Sequence, residues 1–440
     1  MSPAVGCDKP MAARGGRTGK LRFRIRELSR EVWVRVTAFA VLGALTAIIG
    51  YLVKDFIPSD LPAKIGAEAI ESILQILASS MLTVTTFSLS ILTAAYAAAG
   101  STATPRAVRL LVSDPVSQTV LATFIGAFLF SLVSIILLKT QIYGQAGRLV
   151  LFGATLLVVL VVVVSLLRWI DHLGQLGRVG DTVGRVARAA SEALETRLEA
   201  PWLGANPLRG APPAGTVPVC PETVGYLQHC DMAGLSKVAD DNDVLIYLTT
   251  TPGDFVSPAT VVSHVSAVPH DPDDKARLRK RLLACLTIGE ERNFDQDPRF
   301  GIQVLSETGQ RALSPGINDP GSAVLAVGHL VGVLCKWREQ VAPAVEYPRI
   351  YMASLTAIEL LKDGFLPLAR DGAANFQVQR ALLEAMKSLG RISPSVYAAG
   401  VVELSREIMH YNRDSVALKS QRADLVSIFE EILDISQPLE

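Results

Sequence analysis

Four long apolar stretches in the first 170 residues constrain this chain more than any other feature. A helix rises about 1.5 Å per residue and a bilayer's hydrocarbon core is about 30 Å thick, so about 20 mostly apolar residues can cross it. Such stretches lie at residues 34–53, 70–98, 120–138 and 149–167, the last holding the run VVLVVVVSLL and ending at Arg168-Trp169. Half of the 440 residues are apolar, and most charges lie before Val32 or after Arg168. An unpaired peptide group in oil is costly, and a helix pairs its own, so each stretch is predicted to be a transmembrane helix. The expected fold class is therefore membrane α-helical with four spans, followed by a water-exposed α+β region.

Lysine and arginine set the orientation. Eight lie in the arm at residues 1–31, two (Arg106 and Arg109) between the second and third stretches, and four (Arg168, Arg178, Arg185 and Arg188) at the start of the tail. The opposite side holds only Lys54, Lys64, Lys139 and Arg148. Both termini are expected on the cytoplasmic side. The first stretch reads as an uncleaved anchor, because no small-residue cleavage pattern follows Tyr51-Leu52-Val53. The basic arm is either a topogenic signal alone or a contact for anionic headgroups.

The second stretch differs from the other three. Glu68, Glu71, Gln75, Ser79, Thr83, Thr86, Ser90 and Thr93 follow one another at steps of three or four. The mean step, about 3.6, is the helical repeat, so these side chains form one stripe. Two readings stand. The hydroxyls either satisfy backbone carbonyls and neighbouring helices in a dry contact, or line a water-filled path whose acidic outer mouth gathers cations. A path requires several copies of the chain, most simply a symmetric ring, so a homo-oligomer is the expected partner state alongside the lipid bilayer.

Beyond the spans of domain 32–169, residues 170–198 read as a charged helix and 199–215, rich in Pro and Gly, as a linker. Residues 216–268 read as a β-rich, barrel-like subdomain on the strength of TVPVC, DVLIYLTT and TVVSHVSAV, with a turn at Gly253. Residues 272–434 read as a helical domain, with helices over 273–286, 296–313, 350–368, 376–389, 394–410 and 416–433 and another opening at Asp319-Pro320.

The densest polar stretch, RNFDQDPRFG followed by RALSPGINDPGSA, offers Arg292, Asp295, Asp297, Arg311, Asn318 and Asp319 as a candidate phosphate or divalent-cation site. The competing reading is structural, because Asp-Pro and Asn-Asp-Pro are turn and cap chemistry. None of the five cysteines has CxxC spacing, the six histidines form no HExxH, and no Walker A, GxGxxG or GxSxG pattern occurs. No cofactor and no metal is therefore expected. A formal net charge of zero gives no reason to expect nucleic-acid binding.

Three segments resemble one family: TFSLSILTAAYAAAGSTATPRAVRLLVSD, the GYLQHCD…PGDFV stretch, and ERNFDQDPRFGIQVLSETGQRALSPGINDPGSA. The resemblance is to the bacterial predicted membrane proteins catalogued as domain of unknown function 2254, and it runs from about Arg30 to about Leu433. It implies a four-span inner-membrane protein with a cytoplasmic region, and no particular activity. Two departures from the family pattern are Gly321-Ser322 after NDP and Glu291-Arg292-Asn293. Three functions are compatible with these features. The first is an oligomeric channel or transporter with the second span lining a cation path. The second is a membrane-anchored scaffold or sensor whose cytoplasmic region binds a protein or small ligand. The third is an enzyme using the DQDP and NDP turns.

Overall fold

The structure, a computed structural model, describes residues 67–435 except 103, 113, 141–144, 175–178, 340–341 and 343–344. It also describes Thr37, Phe39, Val41, Leu42, Leu45 and Ile49, all helical. The basic arm and the rest of the first expected span lie outside the described residues. The chain divides into two compact units, one of residues up to Tyr96 and Val112–Leu176, the other of Ala97–Leu111 and Gly177 onward.

The helices of the first part are α1 (Ala67–Thr102), α2 (Pro105–Val112), α3 (Pro115–Lys139) and α4 (Gln145–Leu173). Among the described residues α1, α3 and α4 are long and apolar enough to cross a membrane, which makes three candidate spans. They contain the expected stretches 70–98, 120–138 and 149–167 and exceed each at both ends, because polar residues can extend a helix past the oil. The start of α3 has a local cause. Asp114 accepts from the Ser117 backbone N–H, and Pro115 sits where no N–H is needed.

Leu74, Phe124, Phe130, Leu151, Val158 and Trp169 belong to the core of the first unit. Half of the most apolar window of α3 is buried, against 28% for α1 and 22% for α4, so α3 is the inner helix of the three. Leu156, Leu157, Leu160, Val163 and Leu167 of α4 stay exposed. Leaving such a face uncovered in water costs about 25 cal/mol per Å², whereas lipid covers it without cost. A buried polar knot closes the end of this unit. Asp114 Oδ2 accepts from Ser117 Oγ at 2.8 Å and lies 2.9 Å from His172 Nε2.

The second unit opens with the end of α1 and with α2, then α5 (Val179–Glu199). Strands and helices follow as β1 (Ala205–Pro207), β2 (Val217–Val219), β3 (Gly225–Cys230), α6 (Met232–Asp241), β4 (Ile246–Leu248), β5 (Phe255–Val256), β6 (Ser263–Val265), α7 (Pro272–Leu283) and β7 (Leu286–Gly289). The remainder is α8 (Pro298–Leu313), α9 (Pro320–Leu334), β8 (Tyr347–Met352), α10 (Ala357–Asp371), α11 (Phe376–Ile392), α12 (Pro394–Asn412) and α13 (Lys419–Ile435).

The expected barrel-like unit is instead two sheets, one of five strands in the order β1-β8-β4-β6-β2 and one of three in the order β5-β3-β7. Two strands of the larger sheet come from outside 216–268. β1 lies in the segment read as a linker and pairs in parallel with β8, which also pairs in parallel with β4. The expected helix over 350–368 is corrected accordingly. Ile350 and Met352 are buried with exposed or half-buried neighbours, a period of two, and a helix begins only at Ala357. Thr356 and Glu359 cap that helix reciprocally, which fixes its start after the strand.

The helices from α8 onward share one core with α5, built on residues such as Leu194, Phe300, Leu305, Leu330, Phe365, Leu382 and Tyr397. α8 comes very close to α5. A Cβ built on Gly301 would stand 2.5 Å from the Cβ of Ala190, so only glycine permits this approach.

Candidate functional site

The acidic and hydroxyl stripe occupies one face of α1, as its spacing predicts. Glu68, Gln75, Ser79, Thr83, Thr86, Ser90 and Thr93 are exposed, and Glu71 is half-buried. Each hydroxyl donates to a carbonyl of its own helix: Ser79 to Gln75 O at 3.0 Å, Thr83 to Ser79 O at 2.9 Å and Thr86 to Leu82 O at 2.6 Å. Ser90 to Thr86 O at 3.0 Å and Thr93 to Ser90 O at 2.8 Å continue the row. A hydroxyl has one donor and two lone pairs, so a row whose donors are turned inward presents acceptors on its outer side. At the acidic end, Glu71 takes a hydrogen bond from Gln75 at 2.9 Å and an ion pair from Lys139 at 2.8 Å. Glu68 stays open.

The polar residues of the second unit fall into two groups at opposite ends of α8, a helix of 16 residues, which is about 24 Å long. At its start, Asp297 is 1% exposed and caps the helix by accepting from the Phe300 N–H at 3.1 Å. Arg292 grips the same carboxylate with two bonds of 2.7 and 2.9 Å, donates a further bond to Gln303, and stacks over the Phe300 ring at 5.2 Å. Burial raises the Asp297 carboxyl above its ordinary value, and Arg292 only partly offsets this. Asp295 is exposed beside them. Farther along α8, Arg299 makes a forked pair with Asp363 of α10 at 2.6 and 3.2 Å.

At the far end, Arg311 donates to the Ser101 carbonyl at 2.5 Å. Arg106 pairs with Glu307 at 2.5 Å and Ala107 is in the core, while Arg109 pairs with Glu291, the neighbour of Arg292 in the chain. The C-terminal end of α1 and all but the last residue of α2 thereby belong to the second unit. Asn318 adopts φ +48°, a left-handed turn, and Asp319 caps α9 by accepting from Ser322 N at 3.1 Å and Ser322 Oγ at 2.6 Å. The structure thus brings Arg292 and Asp297 together, and separately Asn318 and Asp319 near the Arg311 end. It does not bring all six candidates to one point. Among the described residues no group of three or more His, Cys, Asp or Glu could hold a metal ion.

The Ser322 bonds hold the Asp319 carboxyl below its ordinary value. Its contribution to stability is therefore present above the unfolded pKa and lost as pH falls through the folded one. Asp319→Ala is expected to cost about 1 kcal/mol at neutral pH. Denaturant unfolding of the full chain at two pH values checks this, since the deficit should shrink in acid.

Two features escaped the linear reading. One is the Asp114–Ser117–His172 knot, in which Ser117 and His172 are 55 residues apart in sequence. The other is Arg197, an arginine at the end of an amphipathic helix that is only 4% exposed. The regular spacing of α5's apolar residues could have flagged Arg197 as falling on the inner face.

A family model described as "Predicted membrane protein (DUF2254)" matches residues 29–388. Uncharacterized proteins of Mycobacterium bovis and of two Mycobacterium tuberculosis strains are each 33% identical to the chain over 126 residues. That match covers 28% of this chain and 24% of each relative, so the chain spans about a quarter of the length of the curated relatives it matches. No solved structure matches.

Proposed function

From a chain that belongs to the DUF2254 family of predicted membrane proteins, we propose an oligomeric membrane protein in which copies of α1 surround a hydrated cation path. The membrane is a bacterial inner membrane, with both termini and the second unit on the cytoplasmic side. One observation carries this reading. α1 leaves Gln75 and five hydroxyl residues uncovered along a membrane-length helix, with the hydroxyl donors bonded inward. Such a row offers oxygen lone pairs, which suit a hydrated cation and not an anion. The exposed Glu68 adds negative charge at one mouth. A single chain cannot enclose a path with one such face, so the reading requires a closed ring of identical subunits.

The test is ion flux into liposomes carrying the purified protein. The parent should pass a monovalent cation, and the triple variant Ser79→Leu, Thr83→Leu, Thr86→Leu should lose that flux while its helical content and thermal midpoint stay close to the parent's. A parent without flux, or a variant that conducts unchanged, defeats the proposal.

A further inference from the structure

A groove of about 420 Å³ runs between α5 and α9, both in the second unit. Arg188 of α5 and His329 of α9 line it, close enough for the Arg188 charge to act on the ring. Seven residues on along both helices, Lys336 pairs with Glu195 at 2.7 Å. The helices therefore run side by side in the same direction, and about 10 Å of groove separates the two pairs. Both helices contribute a glycine to its walls. A Cβ on Gly332 would meet nothing within 4 Å, and one on Gly184 would meet only Arg188 Nη1, at 3.9 Å, so the guanidinium folds back toward Gly184. Lys336 and Glu195 neutralise each other. Arg188, Ser191, Glu192 and His329 line the same groove, and none of their side chains has a hydrogen-bond or ion-pair partner among the described residues. Arg188 and Glu192 are exposed and Ser191 and His329 half-buried, so a ligand in the groove can reach all four. Burial, with a smaller contribution from Arg188, holds the His329 ring below its ordinary value. At neutral pH that ring is neutral, with one N–H to donate.

We infer that this groove binds a zwitterionic phosphodiester of an amino alcohol, its phosphate at Arg188, Ser191 and His329 and its ammonium at Glu192. A guanidinium, a hydroxyl and an imidazole N–H, drawn from both helices, supply donors for the two free oxygens of a diester. The charges left over in the groove are one positive and one negative, so a ligand bearing one of each leaves neither unmatched. A simple anion would be repelled by Glu192 and a simple cation by Arg188. A phosphomonoester would bring close to two negative charges to one free arginine. Arg188 and Glu192 lie about one turn apart, a rise of about 6 Å. An amino-alcohol diester spans that distance, and an α-amino acid, whose two charged groups share one carbon, does not. The volume falls in the range of small-molecule pockets. The same chemistry occurs in a soluble diester and in the headgroup of a bilayer lipid. This assignment holds whether or not α1 lines a path.

The experiment is calorimetric titration of the full chain, purified in dodecyl maltoside (a detergent without phosphate), with glycerophosphoethanolamine and with its N-acetyl derivative. Saturable binding of the zwitterion is expected, with the acetylated compound weaker by about twofold to fivefold, since an exposed ion pair is lost. Glu192→Gln should remove that preference, and Arg188→Gln should weaken both compounds. Gly332→Leu, whose side chain enters open space from an exposed position, should abolish binding without lowering the thermal midpoint, because leucine favours a helix over glycine. Repeating the titration in nanodiscs identifies the source. Loss of soluble binding in phosphatidylethanolamine nanodiscs, but not in phosphatidylglycerol nanodiscs, assigns the groove to a lipid headgroup, and equal binding in both assigns it to a soluble diester. No saturable binding by the parent in detergent, equal binding of the two compounds, or unchanged binding by the Arg188→Gln or Gly332→Leu protein each overturns the assignment.

Discussion

Asp297→Ala is expected to destabilise the second unit by about 3–5 kcal/mol, the usual cost of removing one partner from a buried ion pair. The reason lies in what remains. Arg292 keeps its charge at 15% side-chain exposure with its main anionic partner gone, and α8 loses the side chain that accepts from Phe300 N. Asp297→Asn separates charge from shape. Because burial raises the Asp297 carboxyl despite Arg292, this group disfavours the folded state as pH rises through its folded pKa, and its favourable contribution is complete only below the unfolded pKa. An amide cannot ionise, and its single oxygen, in the place of Oδ1, can still accept from Arg292 Nη2 and from the Phe300 N–H, while the bond from Arg292 Nε is lost. Asn should therefore lose clearly less stability than Ala at neutral pH. Equilibrium unfolding of the three proteins measures both effects. Equal losses for Asn and Ala would show that the charge, not the hydrogen-bonded shape, dominates.

Gly253→Ala carries the second large effect, about 2–5 kcal/mol, from two sources that add at one atom. The residue sits at φ +102°, where a side chain is strained whatever room surrounds it. The room is also absent, because a Cβ there collides with the Asp297 carboxylate. A double-mutant cycle tests the second source. In an Asp297→Ala background the collision is gone, so Gly253→Ala should cost less there than in the parent by more than about 0.5 kcal/mol. Strict additivity would assign the whole effect to backbone strain. Gly253 and Asp297 thus form one constraint, in which the turn between β4 and β5 rests on the cap of α8.

Much of the local structure was legible before any coordinates. The Asp-Pro pair at 319 opens a helix as its chemistry predicts, with the aspartate as cap and the proline where no N–H is required. The pairs at 114, 271 and 297 open helices in the same way, a few residues from the starts expected at 120, 273 and 296. The periodicity of Leu382, Met386 and Leu389 marked the buried face of α11. Other parts were not legible, because their backbone partners lie far away in the chain. β8 is a strand because β1 and β4 lie on either side of it, and those partners are more than 95 residues away. Its six residues, YPRIYM, carry too short an alternation to outvote the helical pattern that begins at Ala357. Likewise, β1 is three residues in a stretch dense in Pro and Gly, and only the edge of an existing sheet gives its backbone partners.

Transfer out of water and helix capping depend on residues within a few positions of one another. The amino-acid order alone therefore determined which stretches can enter oil, where helices start, and that one long helix bears a polar face. Which polar groups meet depends on segments far apart in the chain. Only the tertiary structure decided that Arg299 closes on Asp363, that His172 meets Asp114, and that Arg197 is buried with two nitrogens unpaired among the described residues.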